Sequence, residues 1–147
     1  MARADMTITI NRPIEDVFVV LSTPEQTPKW SASAVEEHMT SVGPLGVGST
    51  RHAVVRSFGG RTMTNETVVT AFVRDRTMAM RSVSAAVPFQ ASWSFTPVPG
   101  GTRVDWTWLF EPRGYLRPLG PLIAVIFKGS FRRDLNHLKQ MMEAGEL

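Results

Sequence analysis

The chain alternates before it spirals. Between Asp5 and Asn11, Met6, Ile8 and Ile10 are separated by Thr7 and Thr9, which predicts a strand with one buried face. Pro13 interrupts it. Ile14, Val17, Phe18 and Leu21 then fall at i, i+3, i+4 and i+7, so Ile14 to Leu21 reads as a short amphipathic helix. Pro13 suits its first turn, and Glu15 and Asp16 suit its positive end. A second short helical turn leads through Pro24 and Pro28 to Trp30, with Glu25 placed to support its start.

From Ser33 to Glu111 the pattern is strand and turn. Strands are predicted over Ala34 to Ser41, Ser49 to Phe58, Arg61 to Arg74, Arg76 to Ser84, Phe89 to Pro97 and Thr102 to Glu111. Their breaks are Gly43-Pro44 with Gly46 to Gly48, Gly59-Gly60, Arg74-Asp75, Pro88, and Pro99-Gly100-Gly101. Loops this short imply antiparallel pairing in a meander. Last comes Tyr115 to Glu146, where Leu119, Ile123, Phe127, Phe131, Leu135, Leu138 and Met142 form a helical stripe. Such a helix needs cover, and the seven strands supply it. Pro118 and Pro121 cannot both lie in a regular helix interior, so the helix starts near Pro121 or kinks there. Residues Arg113 to Pro121 are the place for a mobile gate. The fold class is α+β, and 1–147 reads as one domain.

Composition narrows the function classes. With 147 residues, 43% hydrophobic and 20% charged, the chain resembles a globular domain rather than a disordered one. It has no cysteine, which excludes disulfides and thiolate chemistry and suits a cytoplasmic location. MARADMTITI has no apolar run of signal-peptide length, and Leu122 to Phe127 is too short to span a bilayer. The net charge of +3 is spread thinly, which argues against nucleic acid as a partner. No H-x-x-x-H or other metal spacing occurs, and no cofactor is expected. Oligomeric state is not legible.

Four phrases in order carry a resemblance: "RPIEDVFVVLSTPEQTPKW", "GPLGVGST", "PGGTRVDW" and "EPRGYLRPLGPL". Together with the element order, they make the chain similar to the START-like, or SRPBCC, superfamily, in its polyketide cyclase/dehydrase branch. The resemblance implies a helix-grip fold: a curved antiparallel sheet around the C-terminal helix, enclosing a cavity for a hydrophobic small molecule. It carries over no catalytic residue. Its members include carriers, aromatase/cyclases and co-chaperones.

Strand alternation proposes the lining. Phe89, Ala91, Trp93 and Phe95 share a face, as do Val104, Trp106, Trp108 and Phe110. Met78 and Met80 join them one strand earlier. Such a wall is either core packing or a stacking surface for a flat ligand. Polar residues at inward positions are more telling, because burying them is costly unless they are paired. Asn65 and Thr67 lie between Met63 and Val69, Glu37 lies between Val35 and Met39, and His52 alternates with Thr50 and Val54. On the helix, Ser130 and Asp134 interrupt the stripe near Phe127 and Phe131. The candidate ligand set is therefore Glu37, His52, Asn65, Thr67, Met80, Trp93, Trp106, Trp108, Phe127, Phe131 and Asp134.

Three functions are open. The first is binding of an apolar, aromatic, polyketide-like or lipid molecule. The second is cyclase or dehydratase chemistry with His52 as acid/base beside Glu37 and Asn65. The third is a co-chaperone-like interaction module, which would show a large exposed apolar patch. His38 and His137 read as solvent-facing. The run Leu119 to Arg133, flanked by Arg117, Lys128, Arg132 and Arg133, could rest on an anionic membrane. The expectation instead is a helix covered by the sheet, with a basic outer face.

Overall fold

A computed structural model describes residues 2–56 and 60–147. Seven strands form one antiparallel sheet in the order β1-β7-β6-β5-β4-β3-β2. They are β1 (Ala2–Ile10), β2 (Ala34–Met39), β3 (Thr50–Arg56), β4 (Thr62–Val73), β5 (Thr77–Ser84), β6 (Phe89–Val98) and β7 (Gly101–Phe110). Strands β2 to β7 run as a meander, and β1 closes the far edge against β7. The expected end of the third strand at Phe58 and the turn at Gly59 lie outside the described residues.

Irregular pairing bends the sheet. Register shifts leave an extra residue at Val35 in β2, at Thr70 in β4 and at Val83 in β5. Each bulge adds local twist and kinks its strand. The Val98-Pro99-Gly100-Gly101 turn can be tight because Gly100 sits at φ 80°, in the left-handed region where glycine has no Cβ penalty.

Gly101 has a different constraint. A Cβ placed there would come within 2.3 Å of the Ile10 carbonyl oxygen and 2.9 Å of the Asn11 Cα. These are backbone atoms at the end of β1 and cannot swing aside. Gly101→Ala is expected to cost about 1–3 kcal/mol, the usual penalty of overpacking. Urea denaturation checks this, and a loss within about 0.3 kcal/mol would mean that β1 slides away freely.

Helix α1 (Ile14–Ser22) and the one-turn α2 (Thr27–Trp30) are joined by a 3-10 turn over Pro24–Gln26. As expected, they plug one end of the sheet. Phe18 meets Phe95 edge-on at 5.1 Å and Phe72 at 5.5 Å. Glu25 lies in the first turn of the 3-10 helix, as expected, and its carboxylate also accepts the Met39 N–H at 3.1 Å, which pins β2.

Helix α3 (Gly120–Glu143) has Pro121 in its first turn, so no kink is needed. Its end is a Schellman motif. Glu146 N–H bonds to the Met141 carbonyl, Gly145 N–H bonds to the Met142 carbonyl, and Gly145 sits at φ 77°. Arg12 reaches the same end, donating to the Met142 carbonyl at 2.6 Å while pairing with Asp16 at 3.0 Å. A cation there complements the helix dipole. Leu135, Leu138 and Met142 seal against the sheet, as the stripe predicts.

The first half of α3 departs from expectation. Leu119, Leu122, Val125 and Ile126 are exposed, although the pattern places this run beneath the sheet. Only Gly120 and Ala124 are buried there, with Ile123 and Phe127 half-buried. Eight consecutive residues from Leu119 to Ile126 are apolar, whereas one helix side is all a sheet can cover. No helix among the described residues is long and apolar enough to cross a membrane.

Candidate ligand cavity

The sheet's concave side, α2 and the middle of α3 enclose a cavity of about 100 Å³. Its wall is aromatic. Trp93 stacks on Trp106 at 5.3 Å, Trp106 meets Phe131 at 5.1 Å, and Trp108 stacks on Phe131 at 4.8 Å. Cross-strand register explains this: Trp93 is opposite Trp106, and Ala91 is opposite Trp108, all on the inward face. Strand parity puts the rings inside, and the small Ala91 leaves room for them.

All four tryptophans of the chain, Trp30, Trp93, Trp106 and Trp108, line the cavity. Each indole N–H is buried without an acceptor in the protein among the described residues. A buried donor left unpaired costs about 1–3 kcal/mol. All four belong to residues that line one apolar chamber.

On the opposite wall lies a buried ion pair. Arg51 donates from Nη2 to Glu37 Oε1 at 2.6 Å and from Nη1 to Met80 Sδ at 3.4 Å. Its Nε has no partner among the described residues. Burial pushes the Glu37 carboxyl above its ordinary value, although the Arg51 charge, the Arg51 hydrogen bond and the Thr27 hydroxyl pull it down. Nearby Glu25 adds to the rise.

Most of the residues singled out by sequence are here. Glu37, Asn65, Thr67, Met80, Trp93, Trp106, Trp108, Phe131 and Asp134 all line the cavity. Asp134 is already engaged: Ser31 Oγ donates to one carboxylate oxygen at 2.6 Å and the Ala32 N–H to the other at 3.1 Å. That carboxylate ties α3 to the segment after α2. Phe127 stands just outside the lining, stacked on Phe110 at 4.9 Å and Phe131 at 5.7 Å.

His52 is a correction. It lies on the outer face of the sheet, where its Nδ1 contacts Glu66 Oε1 and its ring sits 5.3 Å from that of His38. The inward set of β3 is Arg51, Ala53 and Val55, not Thr50, His52 and Val54. The pairings Glu37–Ala53 and Ala53–Asn65 show why: the neighbours of Glu37 and Asn65 on the same face are odd-numbered. A cavity mechanism with His52 as base therefore fails on geometry. Val35 is a second correction. The β2 bulge turns Ala34 and Glu37 both inward and leaves Val35 exposed. His38 is half-exposed, and His137 is exposed with its ring near the Trp30 carbonyl at 3.1 Å.

Sequence reasoning missed Arg51 and Trp30. The first was hidden by ambiguous alternation, since both faces of β3 carry one cation or imidazole and one valine.

The profile of the family described as polyketide cyclase / dehydrase and lipid transport matches residues 1–143. The uncharacterized protein Rv2574 of Mycobacterium tuberculosis is 30% identical over 135 residues, which is 88% of this chain and 78% of that one. Among solved structures, TTHA0849 from Thermus thermophilus superposes with a TM-score of 0.81 at 16% identity, covering 99% of both chains. The di-domain ARO/CYC StfQ from the steffimycin biosynthetic pathway gives 0.79 at 11% identity, covering 99% of this chain and 52% of that one. At such identities these structures share the fold alone. The profile match spans nearly the whole chain, and its description names polyketide cyclase, dehydrase and lipid-transport roles. The seven-stranded sheet gripping α3 thus belongs to a member of the polyketide cyclase / dehydrase and lipid transport family.

Proposed function

We propose that the chain binds a small, partly aromatic molecule bearing oxygen acceptors in the cavity between sheet and α3. One observation carries this reading: Trp30, Trp93, Trp106, Trp108 and Arg51 line one chamber walled by stacked rings, and their indole N–H groups and the Arg51 Nε are buried and unpartnered among the described residues. An apolar ligand without acceptors leaves all five donors unpaired. A ligand with carbonyl, phenol or carboxylate oxygens relieves them, and the rings supply stacking area. Size restricts the choice. About 100 Å³ holds one aromatic ring, well below the roughly 300–1,000 Å³ of drug-sized sites. A larger ligand requires Phe131 and the start of α3 to yield. The 3-10 helix over Gly114–Leu119, which buries no residue, is the segment best placed to open as a gate.

Intrinsic tryptophan fluorescence of the full chain tests the reading, with salicylate, toluene and octanoate as probes. Salicylate is expected to quench saturably. It should bind about tenfold more tightly than toluene, the worth of one charge-assisted hydrogen bond. Arg51→Met should abolish that preference. Equal affinity for toluene removes the acceptor requirement, and no saturable quenching by any probe removes the binding function.

A further inference from the structure

The outer side of α3 lacks a partner among the described residues. At 100° per residue, Leu122, Val125 and Ile126 point roughly opposite to Phe127 and Phe131, which face the sheet. Val125 is 68% exposed, Leu122 55%, and Tyr115 on the preceding 3-10 helix 85%. Leu119 and Ile126 extend the same patch. A helix that is apolar all round is ordinarily buried. Nothing among the described residues covers this one.

The charges around the patch have one sign. Residues 112–133 contain Arg113, Arg117, Lys128, Arg132 and Arg133 and no acidic residue. All five cations are exposed. The nearest acids are Glu111, the buried Asp134, and Asp5 at the sheet edge, which lies within electrostatic reach of Lys128. We infer that this face docks peripherally on an anionic lipid bilayer, with the apolar patch in the headgroup boundary and the arginines against lipid phosphates. Apolar area plus basic flanks is the chemistry of interfacial helices. A second copy of the chain fits worse. A two-fold pair would bring the same patch together and oppose five cations with five. Phe127 and Phe131 occupy the inner side of the same helix, so docking would bring the cavity roof to the membrane. The inference does not depend on the ligand reading, because vesicle binding needs no ligand.

The test is sedimentation of the full chain with two vesicle types, phosphatidylcholine alone and phosphatidylcholine with roughly one-third phosphatidylglycerol. Binding is expected to the anionic vesicles only, and to weaken when salt is raised to about 0.5 M. Arg117→Ala with Arg132→Ala should weaken it about 25-fold, at about fivefold per charge near the surface. Leu122→Asp with Val125→Asp should abolish it with an unchanged melting temperature, since both side chains are exposed. Equal binding to neutral vesicles, or binding to neither, overturns the inference. So does a dimer in solution that Val125→Asp dissociates, which would assign the patch to a second copy.

Discussion

Arg51→Ala is expected to destabilise the protein by about 3–5 kcal/mol at neutral pH, far more than a typical surface substitution. The cost arises less from the lost attraction than from what remains. Glu37 is 12% exposed at its side chain, and without the guanidinium its carboxylate stays buried with its cation gone and the Thr27 hydroxyl still beside it. The pH dependence follows from the raised Glu37 carboxyl. A carboxyl whose pKa is higher folded than unfolded binds more protons in the folded state. Its protonation therefore stabilises the fold fully below the ordinary value of 4.5, and this contribution is lost as pH climbs through the raised value. Removing Arg51 deletes two influences that hold the carboxyl down, so the window widens upward and the loss deepens toward neutral pH. Glu37→Gln should flatten the slope. The double variant Glu37→Leu/Arg51→Met should be no less stable than the parent, because apolar groups of similar volume replace a desolvated pair. Urea denaturation across this pH range measures all four proteins. An Arg51→Ala loss under about 1 kcal/mol at neutral pH would show that water reaches the pair and screens it.

The same ion pair shows what the sequence could and could not disclose. Element order was legible because alternation in β1, β6 and β7 is unambiguous and glycine or proline marks most turns. The aromatic wall was legible for the same reason. Strand β3 was not, because Thr50-Arg51-His52-Ala53-Val54-Val55 offers two faces of similar polarity. Hairpin parity decides between them. Arg56 pairs with Thr62, so five residues intervene, and an odd-length connection places residues of equal parity opposite one another. With Asn65 and Thr67 inside, Arg51 and Ala53 must be inside too. A connection one residue longer or shorter would have exchanged Arg51 for His52. The Val35 bulge lies beyond such counting, since an extra residue in an edge strand leaves no periodic trace. The first half of α3 misled for another reason. Apolar spacing predicts a helix there, but an all-round apolar run does not say which side is covered.

Trp106→Ala should cost about 3–5 kcal/mol, as large aromatic truncations in cores do. Trp106 is 4% exposed and lies at the centre of the ring system, with Trp93 at 5.3 Å, Trp108 at 5.8 Å and Phe131 at 5.1 Å. Neighbours on two adjacent strands cannot collapse into the gap, because their backbones are fixed by the sheet. Trp106→Phe separates packing from polarity. It keeps one ring in the stack and removes a buried N–H that has no acceptor among the described residues. Loss of volume and relief of that donor oppose each other, so its cost should stay below about 1.5 kcal/mol. Ligand binding should rank the two variants differently from a purely structural core. If the indole N–H serves a ligand oxygen, Trp106→Phe should weaken salicylate about fivefold or more while remaining nearly as stable as the parent. If the wall is core alone, Trp106→Phe should leave probe affinity unchanged. Paired melting curves and fluorescence titrations of the two variants distinguish the outcomes, because stability reports the stack and affinity reports the donor.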